Sequence, residues 1–266
     1  MRTKAYLRAR RRREAATAGH VVVCLGDSLT DGVMSAPYVP YLEREFGPDG
    51  YAFVNAGISG DLAYNVLQRL DDVIACRPDV VVIACGANDA AAHISEEWTQ
   101  WYLKAKHAPQ RPTIEWYEAT LTEIVKRLRA ETSARLALLE LPPFTEELDG
   151  VVNERVRRYN DIVRTVGDAT GTPVIPLYDA MAAQIPADFA PPVFDGSRRH
   201  MGRALRDHYL FRRSWDTISR RNGFVLHTDF AHMNTRGARI IAAQIGAFLH
   251  SNAAASTAQP RNGRER

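Results

Sequence analysis

His20-Val21-Val22-Val23-Cys24-Leu25 is a short apolar run rich in β-branched residues, and Gly26 closes it. A run of that length without polar alternation predicts a strand buried on both faces, the condition of a parallel sheet. Asp79-Val-Val-Val-Ile-Ala-Cys85 ends on Gly86 in the same way. Tyr51 to Ala56, Arg135 to Leu141 and Thr172 to Leu177 are weaker runs of the same kind, which makes five expected strands.

Between the strands the hydrophobic period changes to that of a helix. Leu62, Val66, Leu67, Leu70, Val73 and Ile74 follow it, as do Tyr117, Leu121, Ile124, Val125 and Leu128. Val152, Val156, Tyr159, Val163 and Val166 make another such face, and Ile241, Ile245, Phe248 and Leu249 the last. Strands alternating with helices of this length imply right-handed crossovers and a mostly parallel sheet covered by helices on both faces.

A length of 266 residues fits one core, and 45% hydrophobic, 9% aromatic and 24% charged residues are those of an ordinary globular domain. That composition excludes collagen, coiled coil and global disorder. No apolar run approaches the roughly 18 residues that cross a bilayer, so no integral membrane segment is expected. The net charge of +3 is too balanced to imply a nucleic-acid partner. Residues 1–19 form a basic extension carrying Arg2, Lys4, Arg8 and Arg10 to Arg13, with no apolar stretch behind it to make a secretory signal. Cys24, Cys76 and Cys85 lack CxxC spacing, so neither a disulfide framework nor a zinc knuckle is expected and cytoplasmic residence is the default.

The domain is expected over residues 20–250. Two stretches, 90–112 and 186–222, are too long for plain connections and are expected to be insertions over one end of the sheet. Residues 251–266 are polar and aperiodic, which predicts a disordered tail.

Ligands in open α/β sheets bind at the carboxyl ends of the strands. There the sequence carries Gly26-Asp27-Ser28-Leu29, then Asn55-Ala-Gly-Ile-Ser-Gly60-Asp61, then Gly86-Ala-Asn88-Asp89, and Asp229-Phe-Ala-His232 before the last helix. Singly, each reads as a helix cap or turn. Together they supply what acyl transfer needs. Ser28 is the candidate nucleophile, His232 the base that takes its proton, and Asp229 the carboxylate that orients the imidazole. The Ser28 and Gly60 backbone amides and the Asn88 side chain are the candidate oxyanion donors.

These four blocks, in this order, resemble the GDSL or SGNH family of serine hydrolases, and the resemblance runs from residue 20 to about residue 248. It implies a flavodoxin-like three-layer α/β/α sandwich with a five-stranded parallel sheet. It also implies esterase, lipase or deacylase chemistry through an acyl-enzyme, with no metal or cofactor, on a small-molecule, lipid or glycan acyl ester. Ser28 would then lie on a loop entering a helix, away from any GxSxG elbow. Two departures stand out: the long separation of Asn88 from Asp229, and Phe230-Ala231 where the family often has Gly-Ile or Gly-Val.

Two other functions share these residues: an acyltransferase using the same acyl-enzyme, and a non-catalytic glycan or lipid binder. Trp98, Trp101, Trp116 and Trp215 all fall in or beside the insertions, where an acyl chain or sugar ring could meet them but packing against the body is the favoured explanation. Eight arginines lie between Pro186 and Asn222 against four aspartates, a pattern suited to a solvated ion-paired surface or to an anionic substrate. His227-x-Asp229-x-x-His232 lacks the helical i, i+4 spacing of a zinc site and leaves Ser28 and Asn88 without a purpose.

Overall fold

The computed structural model describes the backbone of residues 19–257 and the side chains of residues 19–251. The expected basic extension lies outside the described residues, apart from Gly19. In chain order the elements are β1 (His20–Gly26), α1 (Ser28–Asp31), α2 (Val39–Phe46), β2 (Tyr51–Gly57), α3 (Ala63–Gln68), α4 (Leu70–Ala75) and β3 (Val80–Ala84). There follow α5 (Ala87–Ala91), α6 (Glu96–Ala105), α7 (Ile114–Glu131), β4 (Arg135–Leu139), α8 (Val151–Thr170) and β5 (Val174–Ile175). The chain closes with α9 (Tyr178–Ala182), α10 (Arg199–Tyr209), α11 (Trp215–Asn222) and α12 (Thr235–Thr257).

The five strands form one all-parallel sheet in the order β2-β1-β3-β4-β5. β1 is flanked on both sides, with Val22 in register with Phe53 and Val80. Alternate residues of the strands feed two separate cores. Val21, Val23 and Leu25 join Val81 and Ile83 beneath α3, α4, α7 and α8, whereas Val22 and Cys24 join Val82 and Ala137 beneath α2, α11 and α12. Burial on both faces explains why the run beginning at His20 shows no polar alternation.

Three expectations need correction. The fifth strand shrinks to Val174–Ile175, because Pro173 and Pro176 bracket it and neither offers an N–H to a ladder. The helix expected from Leu62 to Ile74 is two helices, broken at Arg69. The last helix runs past Ser251 to Thr257 through Ala253-Ala-Ala255, strong helix formers that outweigh the polar neighbours, so the first seven residues of the expected tail are helical. The remainder of that tail, 258–266, lies outside the described residues.

The stretches 90–112 and 186–222 hold α6, and α10 with α11. They meet one another, for Trp98 Nε1 of α6 donates to the Gly196 carbonyl at 2.6 Å. Among the described residues no helix is long and apolar enough to cross a membrane.

Candidate active site

Asp27, directly after β1, caps α1 by accepting the Leu29 N–H at 3.1 Å, and this seats Ser28 at the first position of the helix. Gly32 in the left-handed conformation stops the helix after one turn. Asn55 at the end of β2 holds that turn from the side, its Nδ2 donating to the Thr30 carbonyl at 2.6 Å. Ser28 is thereby buried yet open on one side to a cavity.

Some two hundred residues later, Asp229 and His232 reach the same place. His232 Nε2 lies 3.0 Å from Ser28 Oγ, and His232 Nδ1 lies 2.9 Å from Asp229 Oδ2. Asp229 Oδ1 also accepts the backbone N–H groups of Ala231 and His232, so the carboxylate shapes the turn it belongs to. Phe230 within that turn has φ +95°, a costly conformation for a residue with a Cβ. It is held there by rings on several sides, Phe194, Phe224 and His200 lying with centroids 4.8–4.9 Å away. Of the pair that departs from the family pattern, only Ala231 lines the cavity.

The charges are set by this enclosure. Burial alone would favour neutral His232, but the Asp229 carboxylate outweighs it and holds the imidazole above its ordinary 6.5. Burial likewise works against ionised Asp229, and His232 with the two backbone N–H groups brings it below the usual carboxylate range. Asp27 has less support, and burial pushes it up to about 6.

Gly60 and Asn88 line the same cavity as Ser28 and form its floor with it. Gly60 has φ +79°, and a Cβ there would press on the Trp101 ring at 3.1 Å, so the position suits glycine on two counts. The N–H groups of Ser28 and Gly60 meet no acceptor among the described residues. The Asn88 amide is fixed at both ends: Nδ2 donates to the Asp61 carbonyl at 3.0 Å, and Oδ1 accepts the Tyr102 hydroxyl at 2.7 Å. That leaves the second Nδ2 hydrogen for a ligand.

Beneath the floor lies an ion cluster that sequence reading missed. Asp61 accepts Arg69 Nε at 2.8 Å and Lys106 Nζ at 2.7 Å. Arg69 also donates to the Ala56 and Gly26 carbonyls, both at 2.8 Å, and so ties the ends of β1 and β2 together. Lys106 donates to the Ser59 carbonyl next to Gly60 at 3.0 Å. A second missed group is Glu146, whose carboxylate accepts the N–H groups of Val225, Leu226 and His227 and pairs with His227 Nδ1 at 3.0 Å. His227 Nε2 sits 2.9 Å from the Pro143 carbonyl, so this ring turns to Glu146 and Pro143 rather than joining Asp229 and His232. Only partners brought from other elements reveal these roles, and no local pattern at Arg69 or Glu146 signals them.

The cavity above Ser28 measures about 190 Å³. Its wall is mostly apolar, built by Trp98, Trp101, Phe144 and Met201 with Pro142 and Pro143, and it includes Arg198. Trp116 and Trp215 lie elsewhere. Ser28, Gly60, Asn88 and His232 line this one space, which puts an alcohol oxygen, a base and amide groups beside the same cavity.

Residues 24–240 match the model of the GDSL-like lipase/acylhydrolase family. An acetylxylan esterase of Geobacillus stearothermophilus is 28% identical over 179 residues, which cover 58% of this chain and 74% of that protein. An acetylxylan esterase of Xylanibacter ruminicola is 39% identical over 80 residues, 26% of this chain and 17% of that protein. Among solved structures, the acetyl xylan esterase AlAXEase matches with a TM-score of 0.60 at 19% identity, over 86% of this chain and 99% of that one. The acetylxylan esterase Axe2 of Geobacillus stearothermophilus matches with a TM-score of 0.56 at 21% identity, over 86% and 94%. At these identities the solved structures establish the shared fold. Because the family match begins within β1, ends within α12 and spans most of what lies between, the chain belongs to the GDSL-like lipase/acylhydrolase family and is a carboxylic ester hydrolase.

Proposed function

We propose that the chain is a serine esterase that removes small acyl groups, acetyl foremost, from a carbohydrate of the xylan type through an acyl-enzyme. Ser28 Oγ attacks the ester carbonyl while His232 Nε2 takes its proton, and Asp229 stabilises the imidazolium that forms. The oxygen of the tetrahedral adduct receives the Ser28 and Gly60 N–H groups and Asn88 Nδ2. Collapse expels the alcohol, which is protonated by His232. A water then attacks the acyl carbonyl and gives its proton to His232, which passes it to Ser28 Oγ as the acyl–serine bond breaks and the acid leaves. The observation that carries this reading is the unbroken path from Ser28 Oγ through His232 to Asp229, with contacts of 3.0 and 2.9 Å. The preference for a short acyl group rests on the small cavity and on the acetylxylan esterases that the chain resembles. Three buried thiols without disulfide partners support a reducing, cytoplasmic setting.

The test is active-site labelling joined to turnover. A fluorophosphonate probe should label the wild-type chain and spare Ser28→Ala, and release of acetate from acetylated xylo-oligosaccharide should fall by about 10⁴-fold or more in that variant. Equal labelling of both chains, or acetate release that survives the substitution, would remove Ser28 from the reaction. An unlabelled, inactive but folded wild type would favour the binding-protein alternative.

A further inference from the structure

Arg198 is the arginine of the 186–222 stretch that lines the Ser28 cavity, whereas several of its neighbours are paired among themselves. Arg199 meets Asp195 at 3.0 Å, and Arg206 and Arg213 both meet Asp207. The Arg198 guanidinium instead lies 3.5 Å over the centre of the Trp101 ring and 5.5 Å over that of Trp98. It makes no hydrogen bond or ion pair among the described residues, and its Nε is buried without a partner. Burial lowers its pKa from 12.5, opposed by Tyr102 and Glu97, without discharging it at neutral pH.

A cation that is half desolvated, stacked on an indole and without an acceptor among the described residues can turn onto an incoming anion without breaking any hydrogen bond to them. Trp101 stands close enough to Gly60 that a Cβ there would meet its ring at 3.1 Å, so the charge stands one indole away from the Gly60 end of the cavity. A neutral acetyl sugar has no need of it. Besides His232, Arg198 is the cationic side chain of the lining, which suits one negative charge better than the two of a phosphate monoester.

We propose that Arg198 is a specificity residue that receives a carboxylate carried by the substrate, so that the preferred esters are acidic: an acylated sugar acid, or an ester whose acyl chain ends in a carboxylate. This deepens the reading of Ser28 as an esterase nucleophile and rests on it for turnover, but not for binding.

Two matched pairs separate the sources. Methyl O-acetylglucuronoside against methyl O-acetylglucoside places the charge on the alcohol half, and 4-nitrophenyl hemisuccinate against 4-nitrophenyl butyrate places it on the acyl half. In one pair the acidic-to-neutral ratio of kcat/KM should fall by about 10- to 100-fold in Arg198→Gln and recover in part in Arg198→Lys, which keeps the charge. A ratio unchanged by Arg198→Gln in both pairs overturns the inference. So does a fall that Arg198→Lys shares in full, since that reports lost packing on Trp101. Calorimetric titration of the full chain with methyl glucuronoside and succinamate, against methyl glucoside and butyramide, reads the preference without turnover. An Arg198-dependent preference there in a chain that hydrolyses nothing would sink the esterase reading and leave this one standing. Equal affinity for charged and uncharged members would sink this one alone.

Discussion

The floor and the wall of the cavity are built by different forces. On the floor, Ser28, Asn88, Asp229 and His232 each hold a polar partner at 2.7–3.1 Å, and the Asp61–Arg69–Lys106 cluster braces the loops beneath them. The wall is Trp98, Trp101, Phe144 and Met201, with Arg198 laid on an indole. Hydrogen bonds to charged groups are directional and fix atoms to within a few tenths of an ångström. Apolar contacts fix volume and leave orientation looser. Floor substitutions should therefore act on kcat, through the geometry of the transition state, and wall substitutions on which ester is chosen.

Asp229→Asn tests the floor most severely. An amide at this position no longer offsets the imidazolium and can present an N–H where the ring needs an acceptor, so kcat should fall by roughly 10³–10⁴-fold with folding retained. The pH profile carries the sign. His232 must be neutral to act as base, and Asp229 holds it protonated to above 6.5, so the wild-type kcat/KM should rise with pH through a midpoint above that value. In Asp229→Asn burial is left without the opposing carboxylate, and the midpoint should move to lower pH. A profile that does not move would mean that His232 does not titrate in the rate-limiting step.

Asn88→Ala should come next, with kcat down by about 10²–10³-fold and KM for a small ester little changed, because the lost donor acts chiefly on the developing oxyanion. Steady-state kinetics on 4-nitrophenyl acetate read this directly. A rise in KM alone would move Asn88 from the floor to the wall and blur the distinction between them.

How much of this was written in the sequence divides along the same line. The strands from His20 and Asp79 announced themselves because burial on both faces leaves an uninterrupted apolar run; Ser28 and Asn88 were visible because each comes just after such a strand, and Gly60 because it lies in the turn beyond the weaker run from Tyr51. Asp229 and His232 stood out through the constraint they share, three residues apart before a helix. Thr172 to Leu177 misled because its apolar content hid what Pro173 and Pro176 withhold from a ladder. Arg69, Tyr102 and Glu146 were illegible for another reason. Their partners lie 8–81 positions away, and nothing around an arginine within a helical stretch tells that its guanidinium will clamp two strand ends. The wall was half legible: tryptophans clustered in the two long connections, but only the fold shows that Trp98 and Trp101 reach the cavity while Trp116 and Trp215 do not.

Tyr102 is the residue on which the comparison itself can be broken. It lies on α6, its ring near both wall tryptophans, and its hydroxyl donates to Asn88 Oδ1 on the floor. Tyr102→Phe keeps the ring and its packing and removes that one donor. Asn88 would still be held through Nδ2 by the Asp61 carbonyl, so the amide should loosen without leaving. One neutral hydrogen bond is worth about 0.5–1.5 kcal/mol, which corresponds to a loss of roughly two- to tenfold in kcat. Because no titrating group of the reaction is touched, the acid limb of the pH profile should stay where it is. The acidic-to-neutral substrate ratio, which belongs to the wall, should stay as well. If that ratio shifts together with kcat, α6 moves as a unit, and wall and floor are one coupled surface rather than two.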